Sequence, residues 1–218
     1  MNGVSQTAEE LLLLYELSLN LGQSHDSVET SRRFLKTLLS RRNLSAASIW
    51  WREDESTAEL TLLAAIPRGE FKQTQLPLTS VLQALLRDGR AQAFPAESAD
   101  YPEIAGHDVR SVAAKAAFPL GQEGLLFLES TASSSFTPRF LGQLRAVVNN
   151  LANSIRGSKA QDLLKKRTAE LDESRSLLQT IIDTAPLRVF WKDKESRYLG
   201  CNPAFARDMV LGQRNAIG

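Results

Sequence analysis

The side chains with the most intrinsic chemistry in this 218-residue sequence are two histidines, His25 and His107, and one cysteine, Cys201. A single cysteine excludes an intramolecular disulfide and any thiolate-rich zinc or iron–sulfur site, and two histidines leave little material for a metal cluster. His25 beside Asp26 would suit a phospho-accepting histidine. It stands at a helix start without the Glu and Pro that follow the histidine of a kinase phospho-acceptor box, so capping or solvent exposure is the expectation. Cys201 falls in a strand pattern and is expected to be a buried, inert thiol. There is no glycine-rich phosphate loop, nucleophile elbow, His-Glu-x-x-His or Gly-Gly-Asp-Glu-Phe run. The sequence therefore predicts no enzyme within this chain, no catalytic residue and no metal ligand.

Charge narrows the partners. With 26 Lys+Arg against 25 Asp+Glu, no strong field draws the molecule to nucleic acid or an anionic membrane. The basic run Lys165-Lys166-Arg167 is followed by Glu170, Asp172 and Glu173, the pattern of a solvated helix face. Apolar runs such as 11–15 fall far short of the ~20 residues that cross a bilayer, and the N-terminus lacks a basic leader segment. A cytoplasmic chain with no membrane contact from this segment is expected.

The elements that must position these residues follow from periodicity. Thr7 and Glu10 have capping-box spacing, and the run LLLLYELSLNL after them is apolar nearly all round, so the helix must be covered on more than one side. Its own domain can cover one side and a second copy of the chain the other; Gly22 ends it. Asp26 and Glu29 open a second helix to about Arg42, with a core stripe of Val28, Phe34, Leu35, Leu38 and Leu39 and a stop at Asn43. The period then falls to two: Ala47, Ile49 and Trp51 alternate, as do Leu60, Leu62, Ala64 and Ile66, around the polar turn 53–56. A strand at 71–76, a helix at 78–87 ended by Asp88-Gly89 and a brief strand at 91–94 lead to a long loop, 95–111, of a length that is often functional. A last hairpin joins 112–119 to 124–129. Thr137 and Pro138 then start a long helix.

In that helix Leu141, Leu144, Val148, Leu151 and Ile155 keep a 3,4 spacing. After Gly157 a similar spacing resumes out of phase at Leu164, Arg167, Leu171, Ser174, Leu178 and Ile181. The first stretch can lie on its own sheet. The second has no domain to lie on and is expected to pair with a partner helix, with Gly157 as the phase break. From Ala185-Pro186 a new domain begins, with LRVFWKD, a turn at Lys194-Glu195-Ser196, RYLGCN and a short helix from Pro203, and the chain beyond about Asn202 is expected to be disordered or covered by a neighbouring chain. This divides the sequence into 1–156, a connector at 157–183, and 184–218.

The order helix, helix, hairpin, strand, helix, loop, hairpin, long helix resembles a GAF domain. The most specific stretch is VRSVAAKAAFPLGQEGLLFLES…FTPRFLGQL, in which Arg110, Ser111, Pro119, Leu120, Gly124, Phe136 and Thr137 match the ending of that family, with about two extra residues between the Arg-Ser pair and the proline. The segment LLQTIIDTAPLRVFWKDKESRYLGCNPAFARDM resembles the opening of a PAS domain, through Asp193 and Asn202-Pro203-Ala204-Phe205. The resemblance implies an α+β fold: a central antiparallel sheet with N- and C-terminal helices packed on one face and a long C-terminal coiled-coil helix.

It also implies a ligand cavity roofed by 95–118. Trp51, Phe94, Tyr101, His107, Arg110, Lys115 and Phe118 are the candidate lining, with Trp50 a further aromatic, and Arg110 and Lys115 are the best anion holders. Core packing alone accounts for at least half of the aromatics. A haem ligand at His107 is disfavoured, a bilin has no cysteine in the required place, and the cyclic-GMP signature is absent, so no cofactor is identified. A catalytic member of the fold such as methionine sulfoxide reductase needs reactive cysteines in the domain, and none lies there.

The function implied is a sensory and dimerisation module of a bacterial signal-transduction protein. It would pass a small-ligand or redox signal through a homodimeric coiled coil to the PAS domain and an output domain, a histidine kinase or a cyclic-di-GMP enzyme. The dimer and signalling set is Leu12, Leu151, Ile155, Gly157, Leu164, Leu171 and Leu178. The alternative is a scaffold without a ligand, used only for dimerisation.

Overall fold

The computed structural model describes residues 2–21, 26–42, 44–54, 56–67, 73–101 and 112–215, with side chains at all of these except 2–8 and 210–215. The chain divides into two compact units, 1–160 and 161–218. The first holds helices α1 (Asn2–Asn20), α2 (Ser27–Arg42) and α3 (Ser80–Asp88), and the start of α4 (Pro138–Thr184). Its strands are β1 (Ala46–Trp51), β2 (Glu59–Ile66), β3 (Gln75–Pro77), β4 (Gln92–Pro95), β5 (Ala114–Leu120) and β6 (Gly124–Ser130). They form one antiparallel sheet in the order β3-β2-β1-β6-β5-β4. The two hairpins meet at the centre, where Ala46 to Trp51 pair with Glu129 to Gly124.

Local chemistry sets most element ends. Asp26 accepts a hydrogen bond from the Val28 amide and so caps α2. The Thr79 hydroxyl accepts from Leu82 N to start α3, which stops at Gly89 in the left-handed region (φ 61°). Thr137 accepts from Phe140 N at 3.2 Å and starts α4 one residue before Pro138. The Thr7–Glu10 spacing does not mark a start: α1 begins at Asn2, because extending a formed helix backward is cheap compared with nucleating one. Gly22, Asn43 and His25 lie outside the described residues.

The alternation expected for β2 is broken by a bulge. Ile49 pairs with Ala64 and Trp50 with Leu62, leaving Leu63 unopposed. One extra residue reverses the side-chain phase. Leu60 and Leu62 therefore lie on one face of the sheet, while Ala64 and Ile66 lie on the other with Leu63. The strand expected at 71–76 is shorter and later, Gln75–Pro77, with Phe71 outside the described residues.

Two apolar cores result, one on each face. On the first, α1 (Leu13, Leu17), α2 (Phe34, Leu35, Leu38) and α4 (Phe140, Leu144, Val148, Leu151, Ile155) pack on Ile49, Trp51, Ala116, Phe118, Leu126 and Leu128. On the second, α3 (Leu82, Leu85, Leu86) covers Trp50, Leu60, Leu76, Ala117, Leu125 and Phe127, joined by Phe94 and Tyr101. β1, β5 and β6 are buried throughout because both faces are covered.

The second unit contains the C-terminal part of α4, the hairpin β7 (Phe190–Lys192) with β8 (Tyr198–Cys201), and α5 (Pro203–Asn215). Gly157 does not interrupt α4, which is continuous, and from 161 to 181 every side chain is exposed. Asn202, fully buried, ties the unit together. Its Nδ2 donates to the Ile182 and Leu187 carbonyls, and its Oδ1 accepts from Val189 N and Phe205 N, the latter capping α5. The short helix expected from Pro203 is α5, and it stands in place of the disorder expected beyond about Asn202. Cys201 is exposed rather than buried, because no described residue of the unit covers its side of the two-stranded sheet.

Candidate functional site

The face of the sheet beneath α3 carries a row of polar and aromatic groups built by strand register. The β5–β6 turn closes between Leu120 and Gly124, which sets Lys115 opposite Glu129; on the other side Lys115 stands opposite Phe94 of β4. Directly opposed residues share a face, so Phe94, Lys115 and Glu129 form one line across three strands. Tyr101 sits against this line. Its ring meets Phe94 edge-on at 5.6 Å and Phe127 at 5.3 Å between centroids, and the Lys115 ammonium lies 4.8 Å from its centre.

All three ionisable groups are withdrawn from water: Tyr101 is 4% exposed, Glu129 8% and Lys115 9%. Burying charge is costly unless it is matched, and here a cation and a carboxylate occupy neighbouring strands. Burial, then the charge of Glu129, push the Tyr101 phenol well above its ordinary pKa of 10.0, so it stays protonated. The Glu129 carboxylate is also the acceptor for the buried phenol, which pushes in the same direction. A protonated phenol, an ammonium and a carboxylate against aromatic walls supply both donors and acceptors, the equipment for orienting a small polar molecule. Among the described residues no His, Cys, Asp and Glu cluster is placed to hold a metal ion.

The predicted lining is divided between the two faces. Phe94, Tyr101 and Lys115 come together here. Trp51 and Phe118 turn the other way, into the core beneath α1, α2 and α4, because strand alternation sends them to the opposite face from Trp50 and Lys115. His107 and Arg110 lie outside the described residues. Sequence reasoning passed over Glu129 and Phe127. The signal for them was the hairpin register, which fixes Glu129 opposite Lys115 once the turn is placed.

The second predicted set, for dimerisation, is divided as well. Leu151 and Ile155 are fully buried in the first unit's own core and are withdrawn from any partner. Leu12 is half exposed on α1, beside exposed Leu11, Tyr15 and Leu19, while Leu164, Leu171 and Leu178 are exposed on α4. Gly157 faces open space, with no atom near the position of an added Cβ.

At the opposite end of the α3 face is an open cleft of about 410 Å³ lined by Arg52, Ser56 and Thr57 of the β1–β2 turn, Gln122 of the β5–β6 turn, and Gln83 and Arg87 of α3. Among the described residues no helix is long and apolar enough to cross a membrane.

No protein-family model matches the sequence, and no curated protein matches it. Solved structures do. The GAF domain of a phosphoenolpyruvate-protein phosphotransferase from Coxiella burnetii is 13% identical, with 72% of this chain and 98% of that one covered at a TM-score of 0.59. The GAF domain of A. aeolicus nlh2 is 14% identical, covering 69% and 97% at 0.55. A free methionine-R-sulfoxide reductase from Neisseria meningitidis is 16% identical, covering 68% and 89% at 0.57. At such identities the likeness speaks for architecture alone, and it agrees with the six-stranded antiparallel sheet, its helical layer and the long C-terminal helix: the chain has a GAF-like fold.

Proposed function

We propose that this chain is a regulatory sensory and dimerisation module. Residues 1–156 serve as the sensor, 157–183 as a coiled-coil connector, and 184–218 as the start of a PAS-like domain leading to an output domain, a histidine kinase or a cyclic-di-GMP enzyme. One observation carries the reading. α4 is a single helix whose first part is core and whose stretch from 161 to 181 exposes Leu163, Leu164, Leu171, Leu177, Leu178 and Ile181 with nothing over them. An apolar stripe at heptad spacing, about 30 Å long at 1.5 Å per residue, is best buried against the same stripe of a second copy, parallel and in register. The exposed row Leu11, Leu12, Tyr15 and Leu19 on α1 offers that copy a second contact.

The ligand face is the row Phe94, Tyr101, Lys115 and Glu129. Its chemistry suits a small molecule bearing both an acceptor and a donor. The reading includes no catalytic step in this chain, since residues 1–160 hold no cysteine for the thiol chemistry of a reductase. The alternative, a scaffold that binds no ligand and only dimerises, is favoured by the depth at which Tyr101 and Lys115 are buried among their own neighbours.

Native mass spectrometry beside the denatured mass tests both readings. A dimer with added non-covalent mass supports the sensor, and a dimer of bare mass supports the scaffold. A monomer defeats the two together.

A further inference from the structure

Near the end of the first unit, α4 is held along one side by the two hairpin turns. Arg156 makes a two-pronged bond to Glu123 of the β5–β6 turn, Nε to Oε1 and Nη2 to Oε2, each at 2.9 Å, and Nη1 is steadied by Asn153 at 2.8 Å. One position further along that side of the helix, Lys159 reaches Glu53 of the β1–β2 turn at 3.0 Å. The turns are bound to each other as well. Arg52 N donates to the Glu123 carbonyl at 2.8 Å, and the Arg52 guanidinium donates to the Gln122 carbonyl at 3.0 and 2.7 Å.

The β5–β6 turn is shaped around this contact. Gly121 has φ +68°, and a Cβ placed there would come within 2.5 Å of Glu123 Oε2 and 2.7 Å of Arg156 Nη2. The left-handed backbone favours glycine there, and any side chain would have to displace the guanidinium fork. The Gln122 backbone amide also donates to Glu123 Oε2 at 3.0 Å, a second donor that orients the carboxylate toward the arginine. In keeping with this, Glu123 is held below the ordinary carboxylate value by its bonds to Arg156, and Arg156 is raised in turn.

We propose that the two turns form a latch on α4, holding the helix between Arg156 and Lys159 and releasing it when the turns move. The inference rests on the reading above that α4 carries the signal, and it names the point at which the sensor controls the helix. Position supports it. Ile155 and Ser158 are the last buried residues of α4, and the latch sits at that limit. The same turns border the open cleft through Arg52, Ser56, Thr57 and Gln122, each within four residues of Glu53 or Glu123, so a displacement at the cleft reaches the latch through a short stretch of backbone. Exposed ion pairs are individually weak, which is what a reversible hold requires.

Hydrogen–deuterium exchange on the full chain tests this with the variants Arg156→Gln and Glu123→Gln and the charge-reversed pair Glu123→Arg/Arg156→Glu. Each single variant is expected to speed exchange over 153–163 by roughly twofold to fivefold, the population change that follows loss of one exposed bidentate pair. Exchange in β1, β5 and β6 stays as in the parent chain, and the reversed pair restores protection. Unchanged exchange over 153–163 in both single variants overturns the latch. So does a loss spread across the whole sheet that the reversed pair fails to mend, since that marks a general structural role. The outcome is separable from the relay: a chain that sediments as a monomer defeats the relay while the exchange result over 153–163 stands on its own.

Discussion

The two halves of α4 carry apolar residues at the same spacing and differ in what lies beside them. Before Gly157, Phe140, Leu144, Val148, Leu151 and Ile155 are inserted into the core under the sheet. After 160, Leu164, Leu171, Leu178 and Ile181 repeat the stripe along a stretch exposed on all sides, with Leu171 68% accessible. One helix thus combines a segment packed into its own domain with a segment whose apolar stripe is exposed. The lesson is that a 3,4 repeat states that a stripe will be buried without stating by what.

The largest effect should separate the halves by stability. Leu151→Ala removes a fully buried side chain and is expected to cost about 2–5 kcal/mol in urea unfolding, while Leu171→Ala should leave the first unit's unfolding within about 0.5 kcal/mol. Equal losses would erase the distinction. Next comes association. Replacing Leu164, Leu171 and Leu178 together by Lys should convert a dimer to a folded monomer in sedimentation velocity, with the far-ultraviolet signal reduced only by the fraying of the unsupported helix. Smaller still is Gly157→Ala. An added methyl there meets nothing, and α4 should gain up to about 1 kcal/mol of helix stability, read as a raised melting temperature.

Sequence alone located the helical layers, the two hairpins, the Asp26, Thr79 and Thr137 region starts and the Gly89 stop to within a few residues, because caps and turns are local chemistry. It did not reveal which face of the sheet each aromatic takes. Trp51 and Phe118 were expected beside Phe94, and their placement depends on a register set by pairing between β1 and β6, far apart in the chain. The bulge at Leu63 is likewise invisible in an apolar run where either phase looks equally good. Glu129 was overlooked since a single acid at a strand end is ordinary until its cross-strand neighbour proves to be Lys115. Spacing alone suits Leu151 and Ile155 to a dimer seam, and only the folded core shows that both are buried within their own unit.

Two titrations sharpen the contrast between the exposed turn and the buried row by the smallest signals. Glu123 has a folded pKa below its ordinary 4.5, so the stability it contributes is present above that value and is lost as pH falls through the depressed folded value. The Arg156 Nε proton resonance should therefore hold steady from neutral pH to about 5 and move only in stronger acid. Tyr101 has the opposite sign. With its folded pKa raised above 10.0, the stability from keeping it neutral is present below pH 10 and declines as alkali drives ionisation. Its ring resonances should remain those of the phenol at pH 10.5, and a shift by that pH would mean the face is open to water.

The central claim, that the exposed half of α4 is covered by the same half of a second copy, is met most directly by cysteine cross-linking in a Cys201→Ser background. Leu171→Cys places a thiol on the apolar stripe, and Ser176→Cys places one on the opposite side of the helix. Disulfides need Cα atoms within about 7 Å, a distance that only seam positions of a parallel, in-register pair can reach. The account predicts rapid formation of a disulfide-linked dimer from Leu171→Cys under mild oxidation and none from Ser176→Cys. Equal cross-linking at both positions, or none at Leu171→Cys, would contradict it.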